Sequence, residues 1–153
     1  MKTIHQWLEE YGVSHQNSTN KIIHWICVPS IFFSVIALLY SVSLHTILFN
    51  VPLTVAHIVL FAVLIYYSLL SIPLGIGMMA FSLICLTLCN VLSMLGFKLW
   101  LVALIVFSFG WIGQFIGHKI EGKKPSFLKD LQFLLIGPAW LMHSIFKKLN
   151  INL

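Results

Sequence analysis

The stretch Ser18–Val42, STNKIIHWICVPSIFFSVIALLYSV, decides the fold class of this 153-residue chain. No charged side chain follows Lys21 in this stretch, and the uncharged run continues for 76 residues, from 22 to 97. Because about 20 helical residues cross a bilayer, the run is long enough for three crossings. Charged residues make up 8% of the chain, against roughly 25% in soluble domains. The sequence therefore predicts a protein whose apolar surface faces lipid.

Apolar runs and turn residues divide the chain into segments. Ile4, Trp7, Leu8 and Tyr11 share one helix face, so residues 1–16 are expected to form a surface helix that ends at Gly12. Four predicted crossings follow: Ser18–Val42 with a kink at Pro29, Val51–Leu70 with Pro52 in its first turn, Leu74–Leu95, and Leu99–Ile120. The residues between the first two crossings, SLHTILFN, are interpreted as a turn.

The last segment begins at Pro125-Ser126 and runs to Leu149. Its apolar part, Leu131–Phe146, is short for a crossing and is expected to be broken at Gly137-Pro138. We expect it to lie against the bundle, with a re-entrant, interfacial or fifth crossing segment as alternatives. The fold class is thus all-α: a polytopic membrane helix bundle with four to five membrane segments plus an N-terminal surface helix. The whole chain, 1–153, is expected to form a single integral membrane domain.

The basic residues predict the orientation of the bundle. The chain has nine lysines and no arginine, and cytoplasmic loops carry an excess of positive charge. With four crossings, one side holds six lysines and the opposite side holds Lys98; the six are Lys2, Lys21, Lys119, Lys123, Lys124 and Lys129. That side is expected to be cytoplasmic, in a bacterial inner membrane or, in a eukaryote, the endoplasmic reticulum. No nucleic-acid-binding motif accompanies these lysines, and the oligomeric state is open.

Two polar stripes interrupt the apolar helices on this same side. The first consists of His15, Asn17, Asn20 and His24, and the second of Gln114, His118 and Glu121. On a helix at 100° per residue, the two asparagines and His24 fall within about 60° of one another around the helix axis. Polar stripes at one depth in lipid are costly unless they face each other. We therefore expect the start of the first crossing and the end of the fourth to pack together.

Three imidazoles and a carboxylate at one point suggest a metal site, because imidazole is the commonest metal ligand. An open-sided His and carboxylate set is typical of Fe(II) and oxygen chemistry. The amides of Asn17, Asn20 and Gln114 would then orient the imidazoles, and His143 would join the ligands if the last segment folds back. Polar residues that merely hydrogen-bond across the two helices remain the alternative. Trp140 is interpreted as an interface anchor.

Two blocks of the sequence resemble a known family. HQNSTNKIIHWICVP (15–29) is similar to the H-x-N-x-x-N-x-x-x-H block of the Mpo1-like proteins, and WIGQFIGHKIEGKKPSFLKDLQFLLIGP (111–138) to their W-x-x-Q-F-x-G-H block. The resemblance implies a multi-pass membrane enzyme, an Fe(II)-dependent dioxygenase of fatty-acid α-oxidation. With O₂, it would shorten a 2-hydroxy long-chain fatty acid by one carbon.

The resemblance also implies residue roles. The required histidines of the family map onto His15, His24 and His118, as metal ligands and catalytic residues. Glu121 would be a further ligand, although the family's fungal members place the acid four residues after the last histidine and this chain places it three after. Lys21 or Lys119 would attract the substrate carboxylate, and the acyl chain would lie along apolar helices among membrane lipid. The competing classes are a non-catalytic membrane scaffold or lipid-binding protein and a different metal-dependent lipid enzyme.

Overall fold

The computed structural model describes residues 3–48, 51–122 and 127–151, which form helices and one β-hairpin. In chain order the elements are α1 (Ile4–Gly12), α2 (Ser18–Tyr40), β1 (Ser43–Leu48), β2 (Val51–Thr54), α3 (Val55–Leu70), α4 (Ile72–Met94), α5 (Leu99–Ile120) and α6 (Phe127–Lys148). The surface helix ends at Gly12 and the fourth predicted crossing has the predicted bounds. The all-α membrane bundle predicted from the sequence is confirmed.

Among the described residues, three helices are long and apolar enough to cross a membrane. They are α2, α4 and α5, with 23, 23 and 22 residues and mean hydropathies of 2.3, 2.1 and 2.0. At 1.5 Å per residue each is about 33–35 Å long, which matches the hydrocarbon core. The apolar helix α3 has 16 residues, or about 24 Å, and is shorter than the crossing predicted over Val51–Leu70.

The shortening of α3 reflects a hairpin in the region interpreted as a turn. Strands β1 and β2 pair antiparallel, with Leu48 opposite Val51 and Ile47 opposite Pro52. The predicted helical first turn at Pro52 is therefore wrong. Proline is compatible with a strand of such a ribbon because each strand has a free edge, where no N–H is needed. Helix α3 begins only after Thr54, whose backbone N–H donates to Nδ1 of His57 at 3.2 Å in a capping box.

Helices α2 and α5 pack antiparallel along a row of glycines. The facing pairs along α5 are, in order, Gly110 with Ile31, Gly113 with Cys27, and Gly117 with His24. A Cβ atom at Gly110 would lie only 2.6 Å from Cγ1 of Ile31, so small residues permit the close approach that is common between membrane helices. The start of α2 and the end of α5 thus lie at one end of the bundle, here called the site end.

The short connections place α3 as well. Residues 95–98 join α4 to α5, and Ser71 alone joins α3 to α4. Since α5 runs toward the site end, α4 must run away from it and α3 toward it. Despite its length, α3 therefore bridges the far end, where the hairpin lies, and the site end.

Helix α6 lies against the bundle, as expected, but it continues through Gly137-Pro138 instead of breaking there. Its side contacts span several elements: Gly137 lies beside Tyr11 and Val28, while Met142 and Phe146 lie beside Gly77. The hydroxyl of the fully buried Tyr67 on α3 donates to the carbonyl of Leu135, close to the proline. These contacts stabilise a helix in which proline removes one backbone hydrogen bond.

Candidate metal centre

Three buried histidines meet at the site end of the bundle. His15 lies between α1 and α2, His24 on α2, and His118 on the last turn of α5. One possible ligand atom from each lies within 4.8 Å of those of the other two. The side chains are 2%, 0% and 7% exposed, in that order. The structure thus brings together the three histidines predicted from the sequence, across about 100 residues of chain.

Two of the imidazoles have a defined tautomer. Nδ1 of His15 lies 2.7 Å from the carbonyl oxygen of Tyr11, and Nδ1 of His24 lies 2.9 Å from that of Asn20. A carbonyl oxygen only accepts hydrogen bonds, so each Nδ1 carries a proton, and in the neutral ring each Nε2 then carries a lone pair. Nε2 of His24 is buried and has no hydrogen-bond partner among the residues that the structure describes. This is the usual arrangement of a metal-binding histidine, in which the outer nitrogen donates to a carbonyl.

Aromatic side chains cover His15. The Tyr11 ring stacks on it, with centroids 4.1 Å apart and an angle of 11° between the planes, and the Trp140 ring lies 5.6 Å away. Sequence reasoning missed both contacts, because Tyr11 was assigned to an apolar helix face and Trp140 was interpreted as an interface anchor. Tyr11 lies four residues before His15, the spacing of helical neighbours, and this was the available signal. Trp140 is brought in only by the docking of α6.

Glu121 lies beside the histidines, but its carboxylate contacts other groups. Its Oε1 accepts from the backbone N–H of Gln16 at 2.8 Å, and its Oε2 accepts from the N–H of Asn17 at 3.0 Å and from Nδ2 of Asn20 at 2.9 Å. Burial alone would raise the pKa of this carboxyl. The three N–H donors outweigh it and hold the pKa of Glu121 below its ordinary value of 4.5. The group of close ligand atoms consists of the three histidines and does not include Glu121.

The predicted orienting amides have different environments. Oδ1 of Asn17 accepts from the N–H groups of Thr19 and Asn20, so this side chain caps α2. Asn20 orients His24 through its backbone carbonyl, while its side-chain amide donates to Glu121. Gln114 is buried one helical turn before His118. The first two amides therefore position backbone and carboxylate, rather than contacting an imidazole directly.

The remaining predicted residues are Lys21, Lys119 and His143, which lie outside the group of close ligand atoms. Lys21 is half-buried and Lys119 is exposed. His143 is half-buried and does not belong to the group of close ligand atoms among the described residues. Burial, together with the charges of His5 and Lys147, lowers the pKa of this side chain. Although α6 does fold back, it presents Trp140 to the centre.

The fold and the site together define a class of protein: a membrane helix bundle with a buried three-histidine centre at one end. The family model described as "2-hydroxy-palmitic acid dioxygenase Mpo1-like" matches residues 1–149, and the chain belongs to this Mpo1-like family. The chain is similar to the 2-hydroxy-palmitic acid dioxygenase MPO1 of Saccharomyces cerevisiae, with 35% identity over 144 residues, 92% of this chain and 78% of the yeast protein. No solved structure matches the chain. The family predicted from the two sequence blocks is confirmed.

Proposed function

We propose that this protein is an Fe(II)-dependent dioxygenase that removes one carbon from 2-hydroxy long-chain fatty acids. The observation that carries the proposal is the buried group of three imidazoles, whose possible ligand atoms lie within 4.8 Å of one another. The substrate class comes from the yeast relative, whose name specifies 2-hydroxy-palmitic acid.

The histidine group fits a divalent metal ion. Nε2 of His24 is buried without a hydrogen-bond partner among the described residues, and such an orphaned acceptor costs about 1–3 kcal/mol. A metal ion bound to that lone pair would remove the penalty. Neutral imidazole nitrogens suit iron, zinc and other first-row metals. His15, His24 and His118 would hold the ion, and bound Fe(II) would supply the one-electron chemistry that activates O₂.

The other residues bind and enclose the substrate. The histidine group lies at the polar end of apolar helices, so an acyl chain would extend along α2 or α5 with its carboxyl at the site end. Lys21 and Lys119 would attract the carboxylate electrostatically, while Tyr11 and Trp140 exclude water from one side of His15. One 2-hydroxy acid and one O₂ balance, in atoms and electrons, against the acid one carbon shorter, CO₂ and water. No external reductant is therefore needed.

The experiment is metal analysis of the detergent-purified protein, followed by aerobic incubation with 2-hydroxypalmitate and mass spectrometry of the product. We expect close to one iron per chain and the formation of a 15-carbon acid. Substituting His24→Ala or His118→Ala should remove both the metal and the turnover, because each deletes one of three ligands. His57→Ala is the matched control, since His57 lies at the start of α3 and caps that helix. Full activity in iron-free protein would refute the proposal.

We propose that the site end faces the cytoplasm, in a bacterial inner membrane or, in a eukaryote, the endoplasmic reticulum. Supporting this, α2 begins and α5 ends at that end, beside Lys21 and Lys119, whereas Lys98 lies at the opposite end. Reporter fusions after residue 122 and after residue 96 would test the orientation. Only the first fusion is expected to place its reporter in the cytoplasm.

A further inference from the structure

One side chain, that of Glu121, connects the three segments that carry the histidines. Glu121 directly follows α5, three residues after His118. Its carboxylate accepts hydrogen bonds from the N–H groups of Gln16 and Asn17, more than 100 residues earlier in the chain. Its third bond comes from the side chain of Asn20, the first buried residue of α2.

Two of these three bonds involve a residue that is directly linked to a histidine. The Gln16 N–H belongs to the residue directly after His15, so the bond restrains the segment that carries that imidazole. The carbonyl of Asn20 accepts from Nδ1 of His24, and the side chain of the same Asn20 donates to Glu121. One carboxylate thus connects the end of α5 with the two segments that place the other imidazoles.

Charge favours this role. The carboxylate follows the C-terminus of α5, which disfavours an anion, but it lies at the N-terminus of α2, where unsatisfied N–H groups attract one. Hydrogen bonds to an ionised acceptor are roughly twice as strong as neutral ones, and three such bonds converge on this group. Its two oxygens are thereby directed at the segment between α1 and α2 and at the start of α2.

We propose that Glu121 is a positioning residue, which holds His15 and His24 in register with His118 and is not itself a metal ligand. The expected effect on metal affinity rests on the proposed metal centre. The three hydrogen bonds of Glu121, in contrast, are a property of the metal-free chain. It differs from the ligand role that the family pattern implies for this position.

The test compares Glu121→Gln with wild type in detergent, using Co²⁺ as the probe metal. The matched control is Glu9→Gln, which removes an exposed carboxylate on α1. In metal-free protein, Glu121→Gln should lose hydrogen-exchange protection over residues 12–20, because glutamine keeps one acceptor oxygen and loses the charge. Its Co²⁺ affinity should fall about 10- to 100-fold, as for other residues that orient ligands. At saturating Co²⁺ the absorption bands should match wild type, since the ligands are unchanged.

A double-mutant cycle identifies the route of the effect. Because Glu121 acts partly through His15, the affinity loss in Glu121→Gln/His15→Ala should be smaller than the sum of the two single losses.

Shifted Co²⁺ bands in Glu121→Gln, like those of His118→Ala, would show that Glu121 is a ligand and would overturn the proposal. Unchanged exchange over residues 12–20 would also overturn it. If neither wild type nor variant binds metal, the proposed function fails. The hydrogen-exchange measurement still decides whether Glu121 restrains residues 12–20. Should Glu121→Gln misfold, Glu121→Asp is measured instead, with the same expected losses.

Discussion

Replacing Gly117 with alanine should weaken the metal centre by overpacking the helix contact beneath it. A Cβ atom on Gly117 would lie 3.1 Å from Cε1 and 3.3 Å from Nδ1 of His24, and would overlap Oδ1 of Asn20. The contacted atoms belong to the side chains of Asn20 and His24, which are both fully buried. Either α2 and α5 must therefore separate or Asn20 must turn away from Glu121. Overpacking of this kind costs about 1–3 kcal/mol. Losing a hydrogen bond to a charged group costs about 1.5–3 kcal/mol.

The effect on metal affinity follows from the same shift. Every 1.4 kcal/mol corresponds to about a tenfold change in affinity, so displacement of His24 relative to His118 should weaken Co²⁺ binding about 10- to 100-fold, by analogy with other orienting contacts. The assay is competition titration of purified Gly117→Ala with a chromophoric chelator, alongside thermal unfolding of the metal-free protein.

Gly113→Ala is the matched control, because it overpacks the same α2–α5 contact one turn away, against Sγ of Cys27. It should lower thermal stability by a similar amount and leave Co²⁺ affinity near that of wild type. Wild-type affinity in Gly117→Ala, or an equal loss of affinity in both variants, would refute the reasoning that the Gly117 contact specifically aligns His24.

Two further predictions concern single hydrogen-bonding side chains. Tyr67→Phe should lower the free energy of unfolding by about 1–3 kcal/mol, because it removes the buried donor to the carbonyl of Leu135; denaturant titration measures this, and an unchanged stability would contradict it. The stabilisation by Glu121 should depend on pH, because the pKa of this carboxyl in the folded protein lies below its ordinary value of 4.5. The contribution to stability is therefore fully present above pH 4.5 and is lost as the pH falls through the pKa of the folded state. The difference in unfolding midpoint between wild type and Glu121→Gln should therefore shrink in acid, and a constant difference from pH 7 to 3 would count against it.

The long apolar elements could be predicted closely, because length and hydropathy dominate them. The bounds of α5 were predicted correctly, and α2 and α4 differ by one or two residues at their ends. The pairing of β1 with β2 was missed because a short apolar run between two crossings does not distinguish strand from helix. The continuity of α6 through Pro138 was missed because a buried tyrosine from a distant helix supports that region.

The candidate site was predictable in part. Alternation of crossings placed His15, His24 and His118 at one membrane face, and the structure brings them together. The contacts of Glu121 were not predictable, since they depend on the backbone N–H groups of the segment after α1. The position of His143 also depended on tertiary structure, because the docking of α6 turns Trp140 toward His15 instead.

The sequence alone determined that this chain is a membrane bundle with two polar stripes at one end. Hydropathy and helical spacing are properties of the chain itself, and lipid permits few arrangements for them. Only the tertiary structure decided which atoms meet. The close approach at Gly117, the turn that carries His15 and the carboxylate of Glu121 join segments about 100 residues apart, and local sequence does not encode distances between such segments.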